Sequence, residues 1–162
     1  VLLMGVSGSG KSTLGLRVSE RLGWRFFDAD DFHSESSKAK MRQGFPLDDA
    51  DRAPWLAALR RQVELQLSRA EPALLACSAL KASYREQLGA RLPGVFTAWL
   101  DGDPTLLRQR LAARQGHFFP PALLDSQLAA LEAPSGALRL DFALPPAALE
   151  AQLLEALRAQ GA

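Results

Sequence analysis

The chain has 162 residues, 48% of them apolar and 23% charged, a balance that suits one domain with a full core. Its 19 basic and 18 acidic side chains leave a net charge of +1, so no overall field draws it to nucleic acid or to a membrane. A lone cysteine, Cys77, excludes an intrachain disulfide and points to a reducing cytoplasm, and no apolar run approaches the ~18–20 residues that span a bilayer.

The first expected strand, VLLMG (1–5), runs into GVSGSGKS, which fills G-x-x-x-x-G-K-[S/T] with Gly5, Gly10, Lys11 and Ser12. Glycines let such a loop bring consecutive N–H groups inward as an anion nest, with the positive end of a helix dipole behind it. The nest is expected to take a nucleoside triphosphate on Gly5, Val6, Ser7, Gly8, Ser9, Gly10, Lys11, Ser12 and Thr13. Lys11 would bridge the β- and γ-phosphates, and the Ser12 hydroxyl would ligate magnesium. A helix over 11–22 follows and stops at Gly23, a favoured residue past a helix end. The guanine-reading N-K-x-D signature and a long hhhhDE strand are both missing, and 162 residues leave little room beyond a minimal kinase core.

The second strand, RFFD (25–28), is expected beside the first, and it opens into DADDFH (28–33). In an extended segment, alternation puts Asp28 and Asp30 on one side and Asp31 on the other. Asp28 would reach the metal through a water, Asp30 would take the proton of an acceptor hydroxyl, and His33 would bond the acceptor's hydroxyls. The plainer alternative is that DADD caps the next helix, a role Asp31 fits best.

That helix is expected over 34–43, ending at Gly44. Its Lys38, Lys40 and Arg42 form a solvated face. A longer helix begins near Asp51, with Pro54 in its first turn and the stripe Leu56, Leu59, Val63, Leu67 on one face. Arg52 is a candidate cation for a substrate, and Trp55 reads as core. The strand ALLAC (73–77) then delivers CSALKASYRE, whose Lys81 and Arg85, four residues apart, would clasp a carboxylate or else lie in solvent. After VFTAWL (95–100) comes a helix over 104–114. Arg110 and Arg114 share the face of its last turn, and the segment GHFFPP follows. These arginines are expected to close over the γ-phosphate as part of a lid at about 114–126, plugged by Phe118 and Phe119. A helix over 121–131 carries a packing stripe in which Gln127 is the polar exception. LRLDFA (138–143) and a helix over 146–159 complete the chain. Nearly continuous apolar strands alternating with helices mean an α/β fold: a five-stranded parallel sheet flanked by helices.

Taken together, MGVSGSGKST, DADDFH, AKMRQG-P-L-D-DR-PWL, CSALK--YR, LDG and RLAAR-GHF-P--LLDSQ---LE resemble the gluconokinases, small P-loop kinases, in order and spacing. The resemblance weakens after Glu132. It implies a single domain over 1–162 with the three-layer, nucleoside-monophosphate-kinase-like fold and a helical lid. It also implies transfer of phosphate from ATP to the 6-hydroxyl of D-gluconate, dependence on Mg²⁺, and a homodimer. A sugar acid has one carboxylate, which suits Arg52, Lys81 or Arg85, and several hydroxyls, which suit Asp30, His33, His117 and Gln127. A kinase of a related acid such as shikimate, or a nucleotide-dependent switch, are the alternatives.

Overall fold

The computed structural model describes residues 1–113 and 121–161. The five strands are β1 (Leu2–Met4), β2 (Arg25–Asp28), β3 (Ala73–Ala76), β4 (Thr97–Asp101) and β5 (Leu138–Asp141). They form one parallel sheet in the order β2-β3-β1-β4-β5. The helices are α1 (Lys11–Leu22), α2 (Glu35–Arg42), α3 (Asp49–Arg69), α4 (Ala82–Leu88), α5 (Pro104–Ala112), α6 (Pro121–Ala130) and α7 (Pro146–Ala159).

Alternation along β1 divides the core between the two faces of the sheet. Leu3 points into one layer with Leu14 and Val18 of α1, Leu107 of α5 and Leu153 of α7. Leu2 and Met4 point into the other with Trp55, Leu56 and Leu59 of α3 and Tyr84 and Leu88 of α4. Leu56, Leu59 and Val63 of the expected α3 stripe therefore face the sheet.

Three expectations need correction. First, β2 does not lie beside β1. β3 fills the place between them, pairing Leu75 with both Leu2 and Phe27. The long connection through α2 and α3 returns the chain into the gap that the β1–α1–β2 crossover leaves. Second, α3 starts before Asp51: Asp48 and Asp51 form a reciprocal capping box, so Pro54 is the sixth residue, inside the helix. Its ring leaves the Ala50 carbonyl without an i→i−4 donor. Third, Asp31 caps nothing: α2 is capped by Ser34, whose Oγ accepts from Ser37 N at 3.1 Å.

Gly15 sets how closely α1 approaches the sheet. A Cβ there would lie 2.2 Å from Phe26 Cε2 and 3.2 Å from Leu3 Cδ1. In an open helix Gly→Ala gains up to ~1 kcal/mol. Here overlap with a ring outweighs it, and Gly15→Ala is expected to destabilise the fold by about 1–3 kcal/mol. A lowered denaturant midpoint at unchanged m-value checks this.

Candidate active site

The carboxyl ends of β1, β2 and β3 carry the chemistry, as in other open parallel sheets. After β1 the chain turns at Gly5, with φ +145°, where a Cβ would meet Leu100 O at 2.6 Å. Gly10 precedes α1 in the left-handed region, φ 98°. Both positions demand glycine, and together they wrap residues 5–10 around the start of α1. Val6 contributes backbone only, since its side chain is core, and Thr13 is exposed. Lys11 Nζ folds back to donate to Gly5 O at 2.9 Å and Val6 O at 3.0 Å. Burial lowers its pKa, opposed by Cys77, Asp30 and Asp28.

Although β3 intervenes, the acidic turn reaches this loop, because α1 packs across β3 toward β2. Asp28, in register with Ala76, stands level with the end of β1 through the Leu3–Ala76 pair. Ser12 Oγ at the start of α1 donates to Asp28 Oδ2 at 2.7 Å. The acids do not follow an extended alternation. Residues Ala29–Phe32 form a 3₁₀ turn that Asp28 caps, Oδ1 accepting from Asp30 N at 3.1 Å. That turn, rather than strand pleating, keeps Asp28 and Asp30 together near Lys11. Burial raises the Asp30 pKa, and Asp28 adds to it, while His33 and Lys11 pull the other way.

Ser12 and Asp28 supply hard oxygen donors one hydrogen bond apart. Among the described residues no three His, Cys, Asp or Glu side chains form a cage for a metal. An oxygen pair without a full cage fits Mg²⁺, which keeps waters and phosphate oxygens as its other ligands.

His33 is buried and stacks flat on Trp55, centroids 4.5 Å apart at 8°. Trp55 Nε1 donates to Ala29 O at 2.7 Å, tying the acidic turn to α3. Burial lowers the His33 pKa, Asp30 opposes this, and Arg52 and Lys38 reinforce it, so the ring favours its neutral form. Its Nδ1 is buried and finds no partner among the described residues.

The cations are arranged differently from the expected clasp. Lys81 precedes α4 and Arg85 lies inside it. Arg85 is buried, and its Nη1 donates to Ala79 O at 3.0 Å and Leu80 O at 2.9 Å, so it braces the loop after β3 instead of pairing with Lys81. Lys81 Nζ meets Asp49 at 3.1 Å, Tyr84 OH bonds the same carboxylate, and Arg52 and Lys81 both lie over the Tyr84 ring, at 5.6 and 5.1 Å. Asp49 and Tyr84 are missing from a sequence reading that looks only for cations. Asp49 also belongs to the first turn of α3, and that start was legible in the Asp-x-x-Asp spacing of Asp48 and Asp51. Cys77 is buried, and burial pushes its thiol up to about 12, which disfavours the thiolate.

On the lid side the described residues make two contacts. Arg110 of α5 lies with its guanidinium over the Phe142 ring at 5.6 Å, while the phosphate loop takes a contact from α6. Gln127 of α6 turns to that loop: its Oε1 accepts from Ser7 N at 2.7 Å and its Nε2 donates to Ser7 Oγ at 3.0 Å. Arg114, His117, Phe118 and Phe119 lie outside the described residues, as does most of the expected lid.

A phosphate loop whose serine touches one acid, with a second acid beside it, suits phosphoryl transfer. Residues 1–134 match the family model described as an AAA domain, so the chain carries that domain. It is 41% identical to the probable gluconokinase of Mus musculus, over 98% of this chain and 97% of that one. The chain belongs to the gluconokinase family. The crystal structure of a gluconokinase from Sinorhizobium meliloti superposes with a TM-score of 0.84 at 39% identity, covering 99% of this chain and 96% of that one. Shikimate kinase from Aquifex aeolicus shares the fold, with a TM-score of 0.62 at 18% identity, over 99% of this chain and 96% of that one. The gluconokinase family member described here thus has the P-loop kinase fold. None of its described helices is long and apolar enough to cross a membrane.

Proposed function

We propose that the protein transfers the γ-phosphoryl group of ATP to the 6-hydroxyl of D-gluconate. The observation that carries this reading is the 2.7 Å contact of Ser12 with Asp28, with Asp30 capped onto the same carboxylate beside Lys11. Family membership supplies the acceptor.

In this reading the loop amides and Lys11 neutralise the β- and γ-phosphates. Ser12 directly, and Asp28 through a water, would hold Mg²⁺, which when bound neutralises charge on the phosphate oxygens. Asp30 accepts the proton of the 6-hydroxyl as that oxygen bonds to the γ-phosphorus. The bond from phosphorus to the bridging oxygen breaks, and its electron pair leaves with ADP. Neutral His33, fixed flat by Trp55, offers a ring nitrogen to a neighbouring hydroxyl. Arg52, Lys81 and the Tyr84 hydroxyl receive the carboxylate, which competes with Asp49 for Lys81. Arg85 serves by bracing the loop that presents Lys81. Arg110 and Arg114 are assigned to the phosphates, and His117 to an acceptor hydroxyl. The buried free cysteine suits a cytoplasmic setting. The homodimer follows from the resemblance, and sedimentation checks it.

ADP release measured with gluconate, with shikimate and with no acceptor tests this reading. Gluconate alone should give turnover. Equal rates without acceptor would replace the kinase by a nucleotide-hydrolysing switch, and turnover on shikimate alone would reassign the acceptor. Within the same assay, Lys81→Ala should raise KM for gluconate about tenfold, the scale of one charge-assisted hydrogen bond at a partly exposed site, with KM for ATP unchanged. An unaltered gluconate KM would remove Lys81 from the acceptor site.

A further inference from the structure

The segment from Gln127 to Glu132 touches both halves of the site. At its start, Gln127 holds the phosphate loop through the Ser7 amide and hydroxyl, at 2.7 and 3.0 Å. At its end, Glu132 Oε2 accepts from Ala82 N at 2.6 Å, and Glu132 N donates to Leu80 O at 2.9 Å. Lys81 lies between those two residues, so Glu132 grips the backbone on either side of the candidate carboxylate-binding lysine. Between the ends, Leu131 packs against both core layers.

The loop that Glu132 holds is itself under strain. Ala79 has φ 46°, a left-handed conformation that costs a non-glycine residue ~1–2 kcal/mol. Such a conformation persists when its surroundings over-determine it, and here Arg85 Nη1 holds Ala79 O and Leu80 O while Glu132 N holds Leu80 O as well. A second link joins the loops directly, Gly5 N donating to Ser78 O at 3.3 Å.

We propose that this segment couples the two substrate sites, with Gln127 and Glu132 as positioning residues. Phosphate oxygens entering the loop compete with Gln127 Oε1 for the Ser7 N–H. An acceptor carboxylate that draws Lys81 from Asp49 pulls on the residue Glu132 flanks. Each ligand therefore shifts the same segment, and each changes the other's affinity by one common factor. The inference rests on the sugar-acid reading of the acceptor site.

Calorimetric titration of the full chain with a non-hydrolysable ATP analogue and Mg²⁺, with and without saturating gluconate, tests it. Wild type should bind the analogue at least about fivefold more tightly, or more weakly, when gluconate is present. In Gln127→Leu and Glu132→Ala that factor should fall to within about twofold of unity. Glu132→Gln keeps an acceptor for Ala82 N–H and should retain it. Thermal midpoints confirm that each variant is folded. A wild-type factor of one overturns the inference. So does a wild-type factor preserved in Gln127→Leu and Glu132→Ala, even where affinity for the analogue drops, because that is what a merely structural role gives. Failure of gluconate to bind wild type at all would instead sink the acceptor reading, and the coupling with it.

Discussion

Asp30→Asn is expected to lower kcat by about 10²–10⁴-fold, the usual worth of a general base, while affinity for an ATP analogue stays near wild type. The substitution is nearly isosteric, so the 3₁₀ turn and the Asp28 cap survive it. Stability should not fall with activity. The Asp30 pKa is raised in the folded chain, first by burial and then by Asp28. A group raised on folding contributes stability that is fully present below its unfolded pKa and is lost as pH rises through the folded value. At neutral pH the ionised Asp30 is therefore a cost to folding, and asparagine removes it. A variant with little turnover and an unchanged or higher thermal midpoint is the expected pattern. The same raised pKa moves the acid limb of the wild-type kcat/KM profile upward from the ordinary aspartate value, since the base must be ionised to act. Normal turnover in Asp30→Asn would remove Asp30 from the chemistry.

Lys11→Met should cost about 10²–10³-fold in kcat, comparable with deleting one preorganised charge-stabilising donor, and should weaken ATP binding as well. Loss of affinity separates it from Asp30→Asn. A second effect distinguishes it from simple damage to the loop. Lys11 lowers the Asp30 pKa, so removing the cation leaves Asp28 and Asp30 facing each other without it. The acid limb of the residual activity should move to higher pH in Lys11→Met. Steady-state rates across pH, with analogue titrations, read both effects. An acid limb that stays in place would mean that Lys11 and the Asp30 carboxylate do not share a field.

Much of this site was legible in the sequence because its signals are local. The phosphate loop is a fixed spacing of glycines between an apolar strand and an amphipathic helix, and its backbone conformations follow from Gly5 and Gly10. The acids after β2 were legible as a cluster. Their arrangement was not, because Asp-Ala-Asp-Asp fits an extended segment and a 3₁₀ turn alike, and only the fold shows Asp28 capping the Asp30 N–H. The strand order was hidden for a different reason: parallel neighbours need long crossovers, and nothing local in residues 29–72 says whether the chain returns outside β2 or between β2 and β1. Lys81 and Arg85 show the limit of counting charges. Their spacing fits a clasp, yet Arg85 faces the loop carbonyls of Ala79 and Leu80, and Lys81 meets an acid thirty-two residues earlier. Gln127 was legible as the odd polar residue on an apolar stripe. Its partner, Ser7, is a contact across 120 residues that only the packed fold reveals.

Position-resolved NMR of the product formed from ATP and D-gluconate decides whether the 6-hydroxyl is the acceptor. The predicted result is one phosphorus resonance coupled to the two C6 methylene protons, formed only when ATP and gluconate are both present and missing with Asp30→Asn. Phosphate on any other carbon, or ADP accumulating with no phosphorylated acid, would contradict it.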